Sequence, residues 1–283
     1  MDRDLHSVGS KSFTAVAINT AAKAGEWIKM KQGTHHSLSQ KSSSHDLVTE
    51  VDKGSETMIR NLIKTYFPDH AFLGEEGVAP GAEASARAIR EMQDEEYLWI
   101  VDPIDGTTNF VHGFPYFVVS IALARRGEVI VGVIYDPNRD EMFVAEKGKG
   151  AYLRGKPIRV SSEERLGDAL IATGFPSDTV STLPVNLRGL QAVAPIARNV
   201  RSAGSAALHL AYVAAGRLSG FWELGLNSWD LAAGALLVQE AGGRVTDTKG
   251  EPYSLAVRHV LATNGLVHGE LLQTLADAEA TGF

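Results

Sequence analysis

The sequence predicts a mixed fold of α+β and α/β character in two halves: an antiparallel sheet within residues 1–155 and an α/β arrangement within residues 156–283. Three observations carry this. Residues 117–124 and 129–135 are apolar runs joined across Arg125-Arg126-Gly127-Glu128, the pattern of a hairpin. Beyond about residue 156, short apolar runs alternate with helix-period segments, as α/β units do. No repeat, low-complexity tract or flexible linker separates the halves, so a broad shared interface with a site between them is expected.

In chain order, Phe13, Val16, Ala17, Thr20, Ala21, Ala24, Trp27 and Ile28 recur at three- and four-residue spacing and predict an amphipathic packing helix over 11–31. Residues 32–45, with His35, His36 and five serines, are polar and aperiodic and read as a mobile loop. A second helix is predicted over 52–67, with Ile59, Leu62, Ile63 and Tyr66 on one face and Pro68 past its end. Residues 71–73 read as a short strand running into Gly74-Glu75-Glu76-Gly77, and 78–96 as an Ala/Glu-rich, partly helical surface segment. After the hairpin, 142–145 and 151–153 extend the sheet. Gly150-Ala-Tyr-Leu-Arg-Gly155-Lys156 imitates the start of a nucleotide-binding loop, but Pro157 replaces the Ser or Thr that loop needs, so a turn between strands is predicted. Strands follow at 169–173, 199–202 and 218–222, with helices near 184–197 and 205–215. A last helix opens at Asn227-Ser228, carries Asp230 in its first turn and stops at Gly242-Gly243.

At 283 residues with 44% hydrophobic content the chain can bury a large core. A net charge of −7 argues against broad nucleic-acid binding, so an anionic ligand would need a metal or a local nest of donors. Cysteine is absent, which removes disulfides, thiolate metal sites and a thiol nucleophile together. That suits a reducing compartment, and with no apolar leader in residues 1–11 and no apolar run near the ~20 residues of a membrane helix, the expected location is the cytoplasm.

The stretch around which the chain is organised is 99–117. Leu98, Trp99, Ile100 and Val101 read as a buried strand, and Asp102 and Asp105 follow at once, with Pro103 expected to stop the ladder. Gly106 frees the backbone, and Thr107, Thr108 and Asn109 can cap or open a helical turn whose amides face an anion. An ordinary Asx-rich turn would account for any one of these residues. It accounts poorly for two acids abutting an apolar strand, where ionised carboxylates need a positive partner. A bound metal is the economical partner. Asp230 alone has a plainer account, since the macrodipole favours an acid in any first helical turn.

Asp102-Pro-Ile-Asp-Gly-Thr-Thr-Asn109 and Trp229-Asp-Leu-Ala-Ala-Gly234 resemble the two signatures of the magnesium-dependent, lithium-sensitive inositol monophosphatase family. Lys41-Ser-Ser, Asp46-Leu-Val-Thr-x-x-Asp52, Gly74-Glu-Glu76 and Arg201-Ser-x-Gly-Ser-Ala-Ala207 match in the same order, over residues 13 to about 265. The resemblance implies a layered α-β-α-β-α sandwich, a homodimer, and an active site between an antiparallel-sheet half and a mixed-sheet half. It implies two to three Mg²⁺ ions: one on Glu75, Asp102 and the carbonyl of Ile104, a second on Asp102, Asp105 and Asp230, and a weaker third near Glu75. Water acidified by the cation, oriented by Thr107 with Asp52 behind it, would attack a phosphate monoester in line, without a covalent phosphoenzyme.

By the same resemblance, the phosphate would meet the amides of Gly106 and Thr107. Glu223, Asp105 and the backbone around Gly204 and Ala206 would hold the polyol, with Lys41 auxiliary on the mobile loop. Residues 78–96 are longer than in animal members, and 174–190 carry no diagnostic residue, so the alcohol stays open. Inositol 1-phosphate or a similar sugar phosphate is the first expectation. Histidinol phosphate, fructose 1,6-bisphosphate and nucleotide phosphates are alternatives. A regulatory binding protein acting through partners such as RNA polymerase is the alternative from another class.

Overall fold

A computed structural model describes residues 12–33, 38–40 and 47–282. Helix α1 (Phe13–Lys31) is capped by the Ser12 hydroxyl, which accepts the Ala15 amide. Strands β1 (Leu38–Gln40) and β2 (Leu47–Thr49) form an antiparallel ribbon, so residues 38–40 of the stretch read as an aperiodic loop over 32–45 are a strand, while 34–37 and 41–45 lie outside the described residues. Strands of three residues, Leu38-Ser39-Gln40 and Leu47-Val48-Thr49, are too short to register as a period. Lys41 lies outside the described residues. Next come α2 (Glu50–Tyr66), β3 (Ala71–Gly74), a 3₁₀ turn at Glu75–Gly77, α3 (Ala82–Met92), β4 (Leu98–Asp105) and the one-turn helix α4 (Thr107–Val111).

Strands β5 (Val118–Arg125) and β6 (Glu128–Asp136) form the expected hairpin, with Arg126 and Gly127 both at positive φ in its two-residue turn. Strands β7 (Glu141–Glu146), β8 (Gly150–Leu153) and β9 (Lys156–Pro157) complete the seven-stranded sheet. Arg154 and Gly155, again at positive φ, make the tight turn between β8 and β9, so the loop that imitates a nucleotide site is a hairpin. The sheet runs in order β3-β4-β5-β6-β7-β8-β9, antiparallel except for the parallel edge pair β3–β4.

The remaining chain contributes β10 (Leu170–Thr173), α5 (Thr182–Val193), β11 (Asn199–Arg201), α6 (Ala206–Ala214), β12 (Gly220–Glu223) and α7 (Ser228–Glu240). It ends with β13 (Arg244–Asp247), β14 (Val260–Thr263) and α8 (His268–Asp277), a stretch to which the sequence reading assigned no element. Their sheet is mixed, in order β11-β10-β12-β14-β13, parallel on the β11-β10-β12 side and antiparallel on the other.

Strand alternation builds the layers. Trp99 and Val101 of β4 face α1 and α2 in one apolar cluster, while Leu98 and Ile100 face α6 and α7 in another. In β12, Phe221 faces α6 and α7, and Trp222 faces α5 and α8. The order is therefore α1/α2, seven-stranded sheet, α6/α7, five-stranded sheet, α5/α8: the layered α-β-α-β-α sandwich. Every residue of β4 is buried, which is why its first four, Leu98–Val101, read as a continuous apolar run and not an alternating one.

The central layer is thin because its helices are rich in Ala and Gly. A side-chain carbon on Gly132 of β6 would lie 2.7 Å from the Ala233 carbonyl, and one on Gly234 would lie 2.5 Å from Leu210. Gly132→Ala must therefore push α7 off the sheet. The expected cost is about 1–3 kcal/mol, as for overpacking elsewhere. Denaturant unfolding should show it, with a loss of activity because α7 carries Asp230 at its start.

Candidate active site

Strand β4 does not stop at Pro103, as the sequence reading supposed. It continues to Asp105 through a bulge: Asp102 pairs with Ser120 and Asp105 with Val118, so three steps on β4 match two on β5. Residues three apart on a regular strand face opposite ways, and the extra residue brings Asp102 and Asp105 to one side. Pro103, which lacks an amide hydrogen, falls where the ladder is broken in any case. The Ile104 amide donates to Asp102 Oδ1 at 2.9 Å and fixes the turn. Gly106 follows in the left-handed region (φ 104°), and a side-chain carbon there would lie 2.9 Å from the Tyr116 carbonyl, so the position requires glycine on both counts.

Two helix starts deliver the other acids by the same device. Asp52 is the third residue of α2 in a capping box. Its Oδ2 accepts the Thr49 amide (2.8 Å) and hydroxyl (2.6 Å), while its Oδ1 accepts the Thr107 hydroxyl at 2.9 Å. Asp230 is the third residue of α7 in a second box, its Oδ2 accepting the Asn227 amide at 2.7 Å. Asp102, Asp105 and Asp230 thus bring one carboxylate oxygen each within 4.8 Å of one another. They line a cleft of ≈ 240 Å³ together with Glu75, Ile104, Gly106, Thr107, Gly204 and Glu223.

The acids are perturbed first by burial and then by one another. Burial foremost pushes the Asp105 carboxyl up to about 6, with Glu75 adding to it, against the opposing bonds from the Ser205 hydroxyl and the Ala207 amide. Burial, then the charges of Asp105 and Glu75, raises Asp230 well above the ordinary range, and burial with Asp105 and Asp230 does the same to Glu223. Such a cluster must take up protons or a cation. All its donors are oxygens, in a chain without cysteine, which is the set a hard divalent cation prefers.

Of the residues singled out in the sequence, the structure brings Glu75, Asp102, Ile104, Asp105, Gly106, Thr107, Gly204, Glu223 and Asp230 to one cleft, with Asp52 one hydrogen bond behind Thr107. Ala206 does not line it. It sits at the start of α6, where the amides and the Ser205 hydroxyl turn toward Asp105. Sequence reasoning assigned no such role to Asn109, whose Nδ2 donates to the Tyr116 and Ala203 carbonyls at 2.7 Å each and ties the turn after Gly106 to the Gly204 loop. It also missed Arg258, half-buried near Asp230, whose guanidinium holds the Gly225 and Leu226 carbonyls. Neither shows a local signal, since their partners lie far away in sequence.

The model of the inositol monophosphatase family matches residues 10–280. The chain is 44% identical to inositol monophosphatase 2 of Solanum lycopersicum over 95% of its own length and 100% of the relative's. It is 42% identical to Nus factor SuhB of Pseudomonas aeruginosa, over 92% and 94% respectively. The crystal structure of extragenic suppressor protein suhB from Bartonella henselae superposes with a TM-score of 0.83 at 40% identity, covering 92% of this chain and 97% of that one. With the layered sandwich, the acidic cleft and a match over nearly its whole length, the chain belongs to the inositol monophosphatase family of phosphatases.

Proposed function

We propose that the protein is a Mg²⁺-dependent phosphomonoesterase acting on inositol 1-phosphate or a similar polyol phosphate. One observation carries this: three carboxylates within 4.8 Å share a cleft with a Thr107 hydroxyl held by Asp52 and with Glu223. Asp102, Asp105 and Asp230, with Glu75 and the Ile104 carbonyl, are the proposed ligands. Bound divalent cations would neutralise phosphate and leaving-group charge and make water more acidic.

The chain's own groups do the rest. A hydroxyl has one hydrogen, and Thr107 gives it to Asp52 Oδ1 at 2.9 Å in preference to the Ile104 carbonyl at 3.1 Å. Its lone pairs then point away from Asp52, ready to accept a hydrogen from a water and hold that water's oxygen toward phosphorus. Asp52 is itself fixed by Thr49, so the pair is oriented before substrate arrives. The amides of Gly106 and Thr107 donate to the phosphate oxygens. Among the described residues no group donates to the Glu223 carboxylate, which leaves it to accept hydrogens from substrate hydroxyls. Gly174 is bare on that side because a side-chain carbon there would lie 1.9 Å from Glu223 Oε2. The identity to a Nus factor favours a second role in a regulatory complex, which affinity capture with and without Mg²⁺ would reveal.

Chelation should abolish phosphate release, and adding Mg²⁺ to chelated protein should raise its Tm, because the cation relieves the repulsion among the acids. Asp230→Asn should raise the Tm of the chelated protein and remove the increment on adding Mg²⁺. An unchanged increment would take Asp230 out of the metal site.

Thr107→Ala should lower kcat by ~10²-fold, the usual scale of one positioned proton-transfer group, while calorimetric metal binding stays near wild type. A kcat equal to wild type would mean the water is held elsewhere.

Glu223→Ala should cost roughly 1–3 kcal/mol in kcat/KM on inositol 1-phosphate and spare an aryl phosphate that has no hydroxyls to read. Equal losses on both substrates would put Glu223 among the supports of the metals or the fold.

A further inference from the structure

Glu56 lies on α2 one turn beyond Asp52, is 4% exposed, and takes no part in the chemistry above. Its Oε2 accepts the Glu76 amide at 2.7 Å, and its Oε1 pairs with Arg60 Nη2 at 2.9 Å. The Arg60 guanidinium is set in turn over the Phe72 ring, 4.1 Å from its centre. A buried carboxylate is costly unless paired and hydrogen-bonded, and here it is both.

What it grips is the turn that presents Glu75. The 3₁₀ turn Glu75–Gly77 has no side-chain cap of its own, because the residue before it is Gly74. Gly74 is extended (φ −117°, ψ 150°), a conformation open to any residue, so backbone freedom does not explain the glycine. Space does: a side-chain carbon on Gly74 would lie 2.3 Å from Glu56 Oε2, and the three nearest atoms all belong to the Glu56 carboxylate. Glu56 therefore occupies the capping position that residue 74 leaves vacant and caps the turn from another element. Because β3 runs parallel to β4 with Gly74 opposite Val101, the next residue, Glu75, emerges beside Asp102.

We propose that Glu56 is a positioning residue for the metal site, holding the Glu75 turn in the place from which its carboxylate reaches the cluster. This rests on the reading of Glu75 as a ligand. It assigns Gly74 and Arg60 their reasons as well: one makes room for the Glu56 carboxylate and the other neutralises it.

The test is Mn²⁺ binding by calorimetry together with the Mg²⁺ dependence of phosphate release, on wild type, Glu56→Ala, Glu56→Gln, Gly74→Ala and the double variant, with Glu75→Gln as reference. Glu56→Ala should weaken Mn²⁺ binding and raise the Mg²⁺ midpoint by about 10–100-fold, the scale seen when a partner behind a metal ligand is lost. Glu56→Gln keeps an oxygen for the Glu76 amide and should recover most of that loss, which a purely structural contact would not predict. Gly74→Ala should weaken binding alone yet add nothing on top of Glu56→Ala, since its clash is with the carboxylate already removed. It also leaves α2 intact and carries the same test where Glu56→Ala fails to fold. Wild-type Mn²⁺ affinity in a folded Glu56→Ala or Gly74→Ala protein, beside a Glu75→Gln protein that has lost it, overturns the positioning role alone. Wild-type affinity in Glu75→Gln, or no Mn²⁺ binding by wild type, overturns it through the reading of the site.

Discussion

Holding several carboxylates together in a half-buried cleft is the constraint on which the rest of this structure depends. Four of the acids are gripped by donors of the chain itself: Asp52 by Thr49 and Thr107, Asp102 by the Ile104 amide, Asp105 by Ser205 and Ala207, Asp230 by the Asn227 amide. These bonds partly offset desolvation, but the positions of Asp105 and Asp230 well above the ordinary carboxylate range show that they do not cancel it. The fold tolerates a local cost in stability and recovers it elsewhere, in three apolar clusters that fill the spaces between layers.

Geometry follows from that constraint. The acids come from a strand end, a bulge, a 3₁₀ turn and two helix starts, all places where the backbone has unsatisfied amides to offer a carboxylate. Two of them, Asp52 and Asp230, serve at once as capping-box residues and as members of the site or its support. Economy of this kind makes the local helix signal and the functional signal the same residue. It also explains why an acid at the third helical position carries so little information in sequence when seen alone.

The middle layer sets the distances. Strand β6 reaches α7 through Gly132 against Ala233, and α7 reaches α6 through Gly234 against Leu210. Close approach here brings the start of α7 to the end of β4, where Asp230 meets Asp102 and Asp105. Asn109 then crosses from the same turn to the Ala203 carbonyl, so the two sheets are joined at the cleft by hydrogen bonds and away from it by packing.

The hairpin at 126–127, the helix periods of α1 and α2, and the acids past an apolar run at 98–101 were all legible in the sequence, because each is written in residues close together along the chain. The ribbon at β1 and β2 was not, its strands being three residues long, and neither were β13, β14 and α8. The bulge that continues β4 through Pro103 was missed because it is a property of register against β5, which only pairing defines. Glu56 has no signal of its own in the helix pattern of 52–67, because its burial depends on Gly74 eighteen residues away. Residue chemistry and spacing by themselves marked Asp102 and Asp105 as acids in need of a positive partner, since that depends on atoms each residue carries, while Glu75 and Asp230 joined them only through the family resemblance. Which of them share one cleft, and how far each carboxyl is pushed from its ordinary range, was decided only by the tertiary structure, because both depend on distances between elements remote in sequence.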